Sequence, residues 1–322
     1  MTVSLTIILP IFMIIATGFF FARIKIIDAS SGAQLMQYVF YCAAPFTVYY
    51  ALTGNSSASF FYWPFWIAYP ICYLVIIIGS YFVFRFLRRR ETGISLALGF
   101  CASLGNTVLV AYPILIGITG ARAAVPMAIS VIVVNIIFMP SWILLLEFER
   151  ARNIKNEYKY QNNVFKKATK ATLLNPIVIA TFIGILARSV GIESNQVVTK
   201  FLIYISGSLV PVALFAVGLS MSELKVKSFD LDVLMVVITK LAVAPIVAII
   251  ISKIFALNDF YSVTLVIFMS IPLAKSIYVV AGKYNIFDQE TAQVISYSTA
   301  LSVFTIPVWI HISHMLWPAA FA

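Results

Sequence analysis

The segment CASLGNTVLVAYPIL, residues 101–115, places a glycine, an asparagine and a proline inside an otherwise apolar run. Glycine weakens a helix, and proline lacks the backbone N–H that a helical hydrogen bond needs. Asn106 lies about 18 Å into this run at about 1.5 Å per residue, close to the middle of a membrane about 30 Å thick. Irregular backbone at that depth is tolerated only where protein or a water-filled cavity covers it. The segment therefore predicts a broken membrane helix beside an internal site.

A second apolar run is interrupted in the same way by SIPLAKSIYVVAG, residues 270–282, which contains Pro272 and Lys275. Two breaks at similar depth predict helix ends that meet in the membrane. There, N-terminal N–H groups and the positive end of the helix dipole favour an anion. A simple structural kink is the alternative for either break alone. The pairing of the breaks and their polar residues favour a site.

The composition indicates a polytopic membrane protein, because 62% of the 322 residues are apolar and only 11% are charged. A membrane helix needs about 20 apolar residues to cross about 30 Å of hydrocarbon. Ten runs of this kind occur, near residues 4–22, 33–53, 63–84, 94–118, 123–146, 173–190, 201–222, 231–254, 260–282 and 291–316. The expected fold is therefore all-α, with ten membrane spans and no separate soluble domain.

The net charge of +10 indicates membrane orientation rather than nucleic-acid binding. With alternate connections on alternate sides, sixteen Lys and Arg residues fall on one side and four on the other. The four are Arg122, Arg188, Lys200 and Lys253. Connections rich in Lys and Arg stay in the cytoplasm. Both termini are therefore expected on the non-cytoplasmic side.

The longest connection, ERARNIKNEYKYQNNVFKKATK at 149–170, divides the ten spans into five and five. An odd number of spans per half inverts the second half relative to the first. Prolines recur in corresponding spans, Pro45 with Pro211 and Pro70 with Pro245. These features are typical of secondary transporters built from inverted repeats. We expect a first repeat at 1–147, a basic cytoplasmic connection at 148–172 and a second repeat at 173–322.

Five motifs in order resemble one known family. They are YVFYCAAPFTVYYAL (38–52), LGNTVLVAYPIL (104–115), NPIVIATFIGILARSVGI (175–192), PVALFAVGLSM (211–221) and IPLAKSIYVVAGKYN (271–285). The chain resembles the auxin efflux carrier (PIN-like) family in its short bacterial form. At Lys275 and Ser276 it departs from the family pattern, which has an apolar residue and then asparagine.

The resemblance implies a fold like that of bile-acid symporters and sodium–proton antiporters. Spans four and nine would be broken and would cross each other. Spans one, two, six and seven would form a scaffold, while spans three to five and eight to ten would move as a transport domain in an elevator mechanism. The family's fourth-helix asparagine corresponds to Asn106. Its substrates are organic anions, and the lack of a large cytoplasmic domain implies a bacterial carrier in the inner membrane.

Charged residues are rare inside the predicted spans. All acidic residues lie at span ends or in connections, so an antiporter based on paired membrane aspartates is disfavoured. Lys240 is expected to snorkel to the cytoplasmic interface. Lys275 is expected to function at the site, since a charge near the membrane centre costs at least about 2.5 kcal/mol. His311 and His314 stand between Trp309 and Trp317, which favours an interfacial aromatic belt over a metal site.

These patterns together predict a secondary active transporter for a small organic anion, a mono- or dicarboxylate. The predicted substrate-binding residues are Asn106, Thr107, Lys275 and Ser276, the helix-break residues are Gly105, Pro113 and Pro272, and the scaffold wall contains Pro45 and Pro211. No cofactor or metal is expected. A coupling proton or sodium ion and a homodimer stay open. A passive anion channel and an intramembrane enzyme are the alternatives, although no G-x-S-x-G, H-E-x-x-H or phosphate-loop motif is present.

Overall fold

The computed structural model describes residues 2–53, 59–145, 174–191, 195–222, 230–274, 277–278 and 288–321. Regular secondary structure in these ranges is helical, and one isolated bridge joins Gly105 to Leu273. Lys275, Ser276 and the basic connection predicted at 148–172 lie outside the described residues.

Eleven helices are named here in chain order. They are α1 (Thr2–Arg23), α2 (Ser31–Tyr38, Val39–Ala43 and Ala44–Thr53), α3 (Trp63–Leu87), α4 (Thr92–Ser103), α5 (Thr107–Ala111 and Tyr112–Thr119), α6 (Ala124–Val133, Val134–Phe138 and 139–145), α7 (Pro176–Ser189), α8 (Gln196–Met221), α9 (Leu231–Ile254), α10 (Asp259–Ser270) and α11 (Asp288–Leu316). Predicted span four corresponds to α4 with α5, and predicted span nine includes α10.

Five helical stretches in the described ranges are long and apolar enough to cross a membrane. They are Trp63–Leu87, Thr107–Leu145, Gln196–Met221, Leu231–Ile254 and Glu290–Leu316. The second stretch contains two helices, α5 and α6. The chain turns between them at Gly120, which has a left-handed φ of 69°, and Thr107–Ala111 packs back on Ala124–Val133. Two of the shorter apolar helices, α4 and α10, are short because each ends at a predicted break. The chain is therefore an all-helical polytopic membrane protein.

Widened helical turns with i to i+5 hydrogen bonds precede several prolines. The turns at Val39–Ala43, Thr107–Ala111, Val134–Phe138 and Thr239–Val243 each end two residues before a proline. A proline ring clashes with the carbonyl four residues earlier and cannot donate to it. An added residue in the turn relieves that clash and rotates the helix that follows. The prolines therefore fix where these helices change direction.

The helices form two packing groups. In one group α1 packs along α8 while α2 packs against α7 and α8; in the other α3 packs on α4, and α9 packs on α10. Gly18 and Gly218 allow the backbones of α1 and α8 to touch: a Cβ on Gly18 would lie 2.2 Å from the Phe215 carbonyl oxygen, and one on Gly218 would lie 2.0 Å from that of Ile15. Small residues commonly let the backbones of membrane helices approach each other closely.

One carboxylate links two helices of the second packing group, α3 and α9. Asp232, at the start of α9, accepts from Arg88 Nε at 2.7 Å and from Arg90 Nε at 2.5 Å, just beyond α3. Its side chain is only 5% exposed. A buried carboxylate is stable when it is paired, and the N-terminal end of a helix adds a favourable dipole. The ends of α3 and α9 are therefore held at a fixed distance.

We predict that Gly218→Ala lowers the unfolding temperature of the purified protein in detergent. The added methyl group forces α1 away from α8, at a cost of about 1–3 kcal/mol for overpacking. Gly207→Ala on the same helix is the matched control, since a Cβ there meets nothing within 4 Å. This control should melt at the same or a higher temperature, and equal losses for the two variants would contradict the close contact.

Candidate functional site

The two helix breaks touch each other through their backbones. The α4 helix ends at Ser103 and continues into extended Leu104, while α10 ends at Ser270. The Asn106 N–H donates to the Pro272 carbonyl at 2.9 Å, and the Ala274 N–H donates to the Leu104 carbonyl at 3.4 Å. The interruptions expected near Gly105 and Pro272 are therefore present, and each break satisfies backbone groups of the other. We call this contact the paired break, residues 104–106 with 272–274.

A serine from a third helix completes the paired break. The Leu273 N–H donates to Ser298 Oγ on α11 at 3.2 Å, and Ser298 Oγ also lies 3.3 Å from the Ile295 carbonyl, to which it donates. Ser298 is fully buried. Its hydroxyl therefore links the break after α10 to an intact helix. Sequence reasoning missed this residue, because serines in membrane helices commonly bond within their own helix.

Asn106 forms the N-cap of α5. Its Oδ1 accepts from the Leu109 N–H at 3.4 Å, and its side chain is half-buried. Within the described residues its Nδ2 group takes part in no hydrogen bond. An amide donor is therefore available beside the positive end of α5, where a carboxylate would be favoured.

Thr107 faces a different environment from Asn106. It is 6% exposed, and its hydroxyl donates to the Gly105 carbonyl at 3.5 Å, with the phenols of Tyr69 and Tyr73 on α3 nearby. The two phenols are themselves 2.8 Å apart and fully buried. The structure therefore brings Thr107 into a buried hydroxyl cluster behind the paired break.

Lys240 lies under the paired break rather than at the membrane surface. Its side chain is fully buried, and Nζ donates to the Ser103 carbonyl at 2.5 Å. The snorkelling expectation is therefore wrong. Lys240 stands nine residues after Leu231, which at about 1.5 Å per residue is nearly half of the hydrocarbon thickness. The carbonyl end of α4 also carries the negative end of its dipole, which attracts the ammonium.

Gly105 makes room for this ammonium. A Cβ on Gly105 would lie 3.1 Å from Lys240 Nζ and 2.6 Å from Ile271 Cγ1. Any side chain at this position would displace one of these neighbours. The glycine of the first break is therefore needed for space, in addition to its weak helix propensity.

The remaining predicted residues differ in burial. Pro113 and Pro272 are buried, Pro45 is half-buried and Pro211 is exposed. The helices of Pro45 and Pro211 are joined by a 2.7 Å bond between Tyr38 Oη and Ser208 Oγ, and both helices pack on the first turn of α5. Lys275 and Ser276 lie outside the described residues, so their assignment to the site stays a prediction.

Trp309 on α11 and Trp317 just after this helix do not form the expected interfacial belt. Trp309 and Trp317 are each only 9% exposed, and Trp309 Nε1–H donates to the Leu241 carbonyl at 2.7 Å. That expectation is wrong, because Pro245 leaves the Leu241 carbonyl without its usual helical donor. This proline is the sequence signal that could have indicated the contact. In the described part of the chain, no three His, Cys, Asp or Glu residues are placed to hold a metal ion.

Comparison with known proteins identifies the family to which the chain belongs. The family model described as Membrane transport protein matches residues 3–310, nearly the whole chain. The chain therefore belongs to this family, the auxin efflux carrier family that its motifs resemble.

Curated relatives are similar along their full lengths. A Rhizobium meliloti (strain 1021) protein, provisionally named a malonate transporter, is 22% identical over 306 residues, 93% of this chain and 92% of that protein. The uncharacterized transporter YfdV of Escherichia coli (strain K12) is 21% identical over 318 residues, 96% of this chain and 97% of that protein. The uncharacterized transporter MJ1031 of Methanocaldococcus jannaschii is 22% identical over 314 residues, 95% of this chain and 98% of that protein. Each relative is named as a transporter.

We predict that Ser298→Ala destabilises the protein by about 1–3 kcal/mol, the cost of leaving the buried Leu273 N–H unpaired. Ser296→Ala is the matched control, since Ser296 is half-buried and donates within its own helix to the Ala292 carbonyl. Unfolding temperatures of the two purified variants measure the difference. If both variants unfold at the same temperature, Ser298 does not support the paired break.

Proposed function

We propose that this protein is a secondary active transporter of a small organic anion, a mono- or dicarboxylate. The anion binds at the paired break and crosses the membrane by alternating access. This proposal is supported by membership of a membrane transport family and by the charge at the break.

The observation that carries the proposal is the buried ammonium of Lys240. In the described ranges both ion pairs belong to Asp232, and no carboxylate lies within ion-pair distance of Lys240. A buried charge without a counter-charge is costly, and the α4 dipole compensates only part of that cost. In its charged form, Lys240 makes the paired break favourable for an anion and unfavourable for a cation.

Asn106 supplies the site with a hydrogen-bond donor of fixed direction. Its free amide donor stands one residue from Gly105, against which the ammonium packs. A carboxylate at this position accepts from Asn106 Nδ2 and lies in the field of both Lys240 and the α5 dipole. Lys275 and Ser276 complete the proposed binding set from the second broken helix.

The proposed architecture has ten spans in two inverted repeats of five, with both termini outside the cytoplasm of a bacterial inner membrane. The two packing groups support a scaffold of α1, α2, α7 and α8 and a transport domain that includes α3, α4, α9, α10 and α11. The α5 and α6 helices contact both groups, and the family resemblance assigns them to the transport domain. An elevator motion would carry the paired break past the wall that contains Pro45 and Pro211. The turn at the start of α5 packs against this wall.

One relative guides the choice of the first substrate to test. The Rhizobium meliloti relative carries a name that specifies malonate, and malonate is therefore the first probe to use. Its two carboxylates match a site with an amide donor and a cationic field.

We predict that Lys240→Gln strongly slows malonate uptake into proteoliposomes, with weakened but measurable malonate binding, while leaving the protein folded. Glutamine keeps a donor for the Ser103 carbonyl but removes the charge. Lys253→Gln is the matched control, because Lys253 lies on the same helix and is exposed. The control should transport normally. Normal transport by Lys240→Gln would remove the charge argument for an anion.

We predict that Asn106→Asp retains stability but loses malonate binding. Aspartate is as good an N-cap as asparagine, whereas its negative charge repels a carboxylate. Thermal stabilisation by malonate measures binding, since a ligand of the folded state raises its stability by RT ln(1 + [L]/Kd). Malonate stabilisation equal to that of the unaltered protein would exclude Asn106 from the site.

Counterflow separates a carrier from a channel. Proteoliposomes loaded with unlabelled malonate should accumulate labelled malonate transiently against its gradient, and uptake should saturate. Linear uptake without counterflow would establish a passive channel.

A further inference from the structure

The geometry points to Trp309 as the residue that positions the Lys240 ammonium at the paired break, an inference that rests on the proposed function. Trp309 is 9% exposed, and its indole N–H donates to the Leu241 carbonyl at 2.7 Å. Leu241 is the residue next to Lys240. The two neighbours are thus anchored to different helices, Lys240 to α4 and Leu241 to α11.

The Leu241 carbonyl is available to Trp309 because of Pro245. In a regular helix this carbonyl would accept from the N–H of residue 245, which proline lacks. The helix instead widens over Thr239–Val243, and the Ala244 N–H reaches back five residues to the Thr239 carbonyl. The indole N–H supplies the donor that the proline removes, so a buried carbonyl is not left unpaired.

The widened turn determines where Lys240 points. One added residue rotates the rest of a helix by about 100°, since a regular helix has about 3.6 residues per turn. Lys240 is the second residue of the widened turn. The direction of its side chain relative to the part of α9 after the turn therefore depends on the turn staying wide. Trp309 holds the turn open from α11. Its role is therefore positioning, because it acts on the site through Lys240.

Chemical labelling tests this placement without any substrate. Reductive methylation with formaldehyde and a borane reductant modifies accessible amines, and mass spectrometry reports each lysine separately. Trp309→Phe keeps an aromatic ring but removes the N–H, so Lys240 should become several-fold more reactive. Lys253 on the same helix is the internal control and should not change. Unchanged Lys240 labelling in folded Trp309→Phe protein would overturn the inference.

Pro245→Ala tests the same chain of contacts from the other end. Alanine restores the N–H and is the best helix former, so this variant is expected to fold. The Leu241 carbonyl then has a donor within its own helix. Lys240 labelling should rise as in Trp309→Phe, and adding Trp309→Phe to Pro245→Ala should change it little further. If the two substitutions raise Lys240 labelling independently, so that their effects multiply, the proposed link between Pro245 and Trp309 is overturned.

A double-mutant cycle connects the placement to anion binding. Trp309→Phe should weaken malonate binding about fivefold to tenfold when Lys240 is present, and should have no effect in Lys240→Gln protein. Equal weakening in both backgrounds would show that Trp309 does not act through the lysine, and would overturn the inference. If labelling rises while neither variant alters malonate affinity, Trp309 still positions Lys240, and the proposed function is the part that fails.

Discussion

The structure depends on one constraint: backbone groups freed at a helix break inside a membrane must find partners within the protein. The two breaks solve this jointly, since Asn106 donates to the Pro272 carbonyl and Ala274 donates to the Leu104 carbonyl. Ser298 Oγ accepts from the Leu273 N–H, and Lys240 Nζ donates to the Ser103 carbonyl at the end of α4. Five helices, α4, α5, α9, α10 and α11, therefore converge on a few backbone atoms. A site formed in this way is rigid locally, because moving any one helix would leave polar groups unpaired.

Electrostatics follow from the same arrangement. The carbonyl end of α4 faces Lys240, while the N–H end of α5 begins at Asn106. The negative end of one helix thus meets the Lys240 amino group, and the positive end of the next lies beside the Asn106 amide. This asymmetry is the physical basis for proposing an anion. The Asp232 ion pairs and the two-group packing hold α3 and α9 around it.

The parts of the fold set by local backbone chemistry could be predicted from the sequence. Gly105 and Pro272 mark helix interruptions, because their effects on the backbone need no knowledge of neighbours. Pro113 does not interrupt the helix: it lies inside α5, just after the widened turn Thr107–Ala111. The positions expected for Lys240 and Trp309 are wrong because they depend on neighbours in other parts of the chain. Their burial depends on partners on other helices: the bond from Trp309 to Leu241 joins residues 68 positions apart. Counting residues gives depth in the membrane but not which side of a helix meets another.

The backbone contact between α1 and α8 has a consequence for biosynthesis. Gly18 packs on α8, yet α2 through α7 are all synthesised before that partner exists. While the ribosome completes those segments, the glycine face of α1 must be covered by lipid or by the insertion machinery. Contacts of such high sequence separation form late and slowly. A helix made early is thus among the last to reach its native neighbour, and the intermediate in which α1 lacks that neighbour lasts until α8 has been inserted.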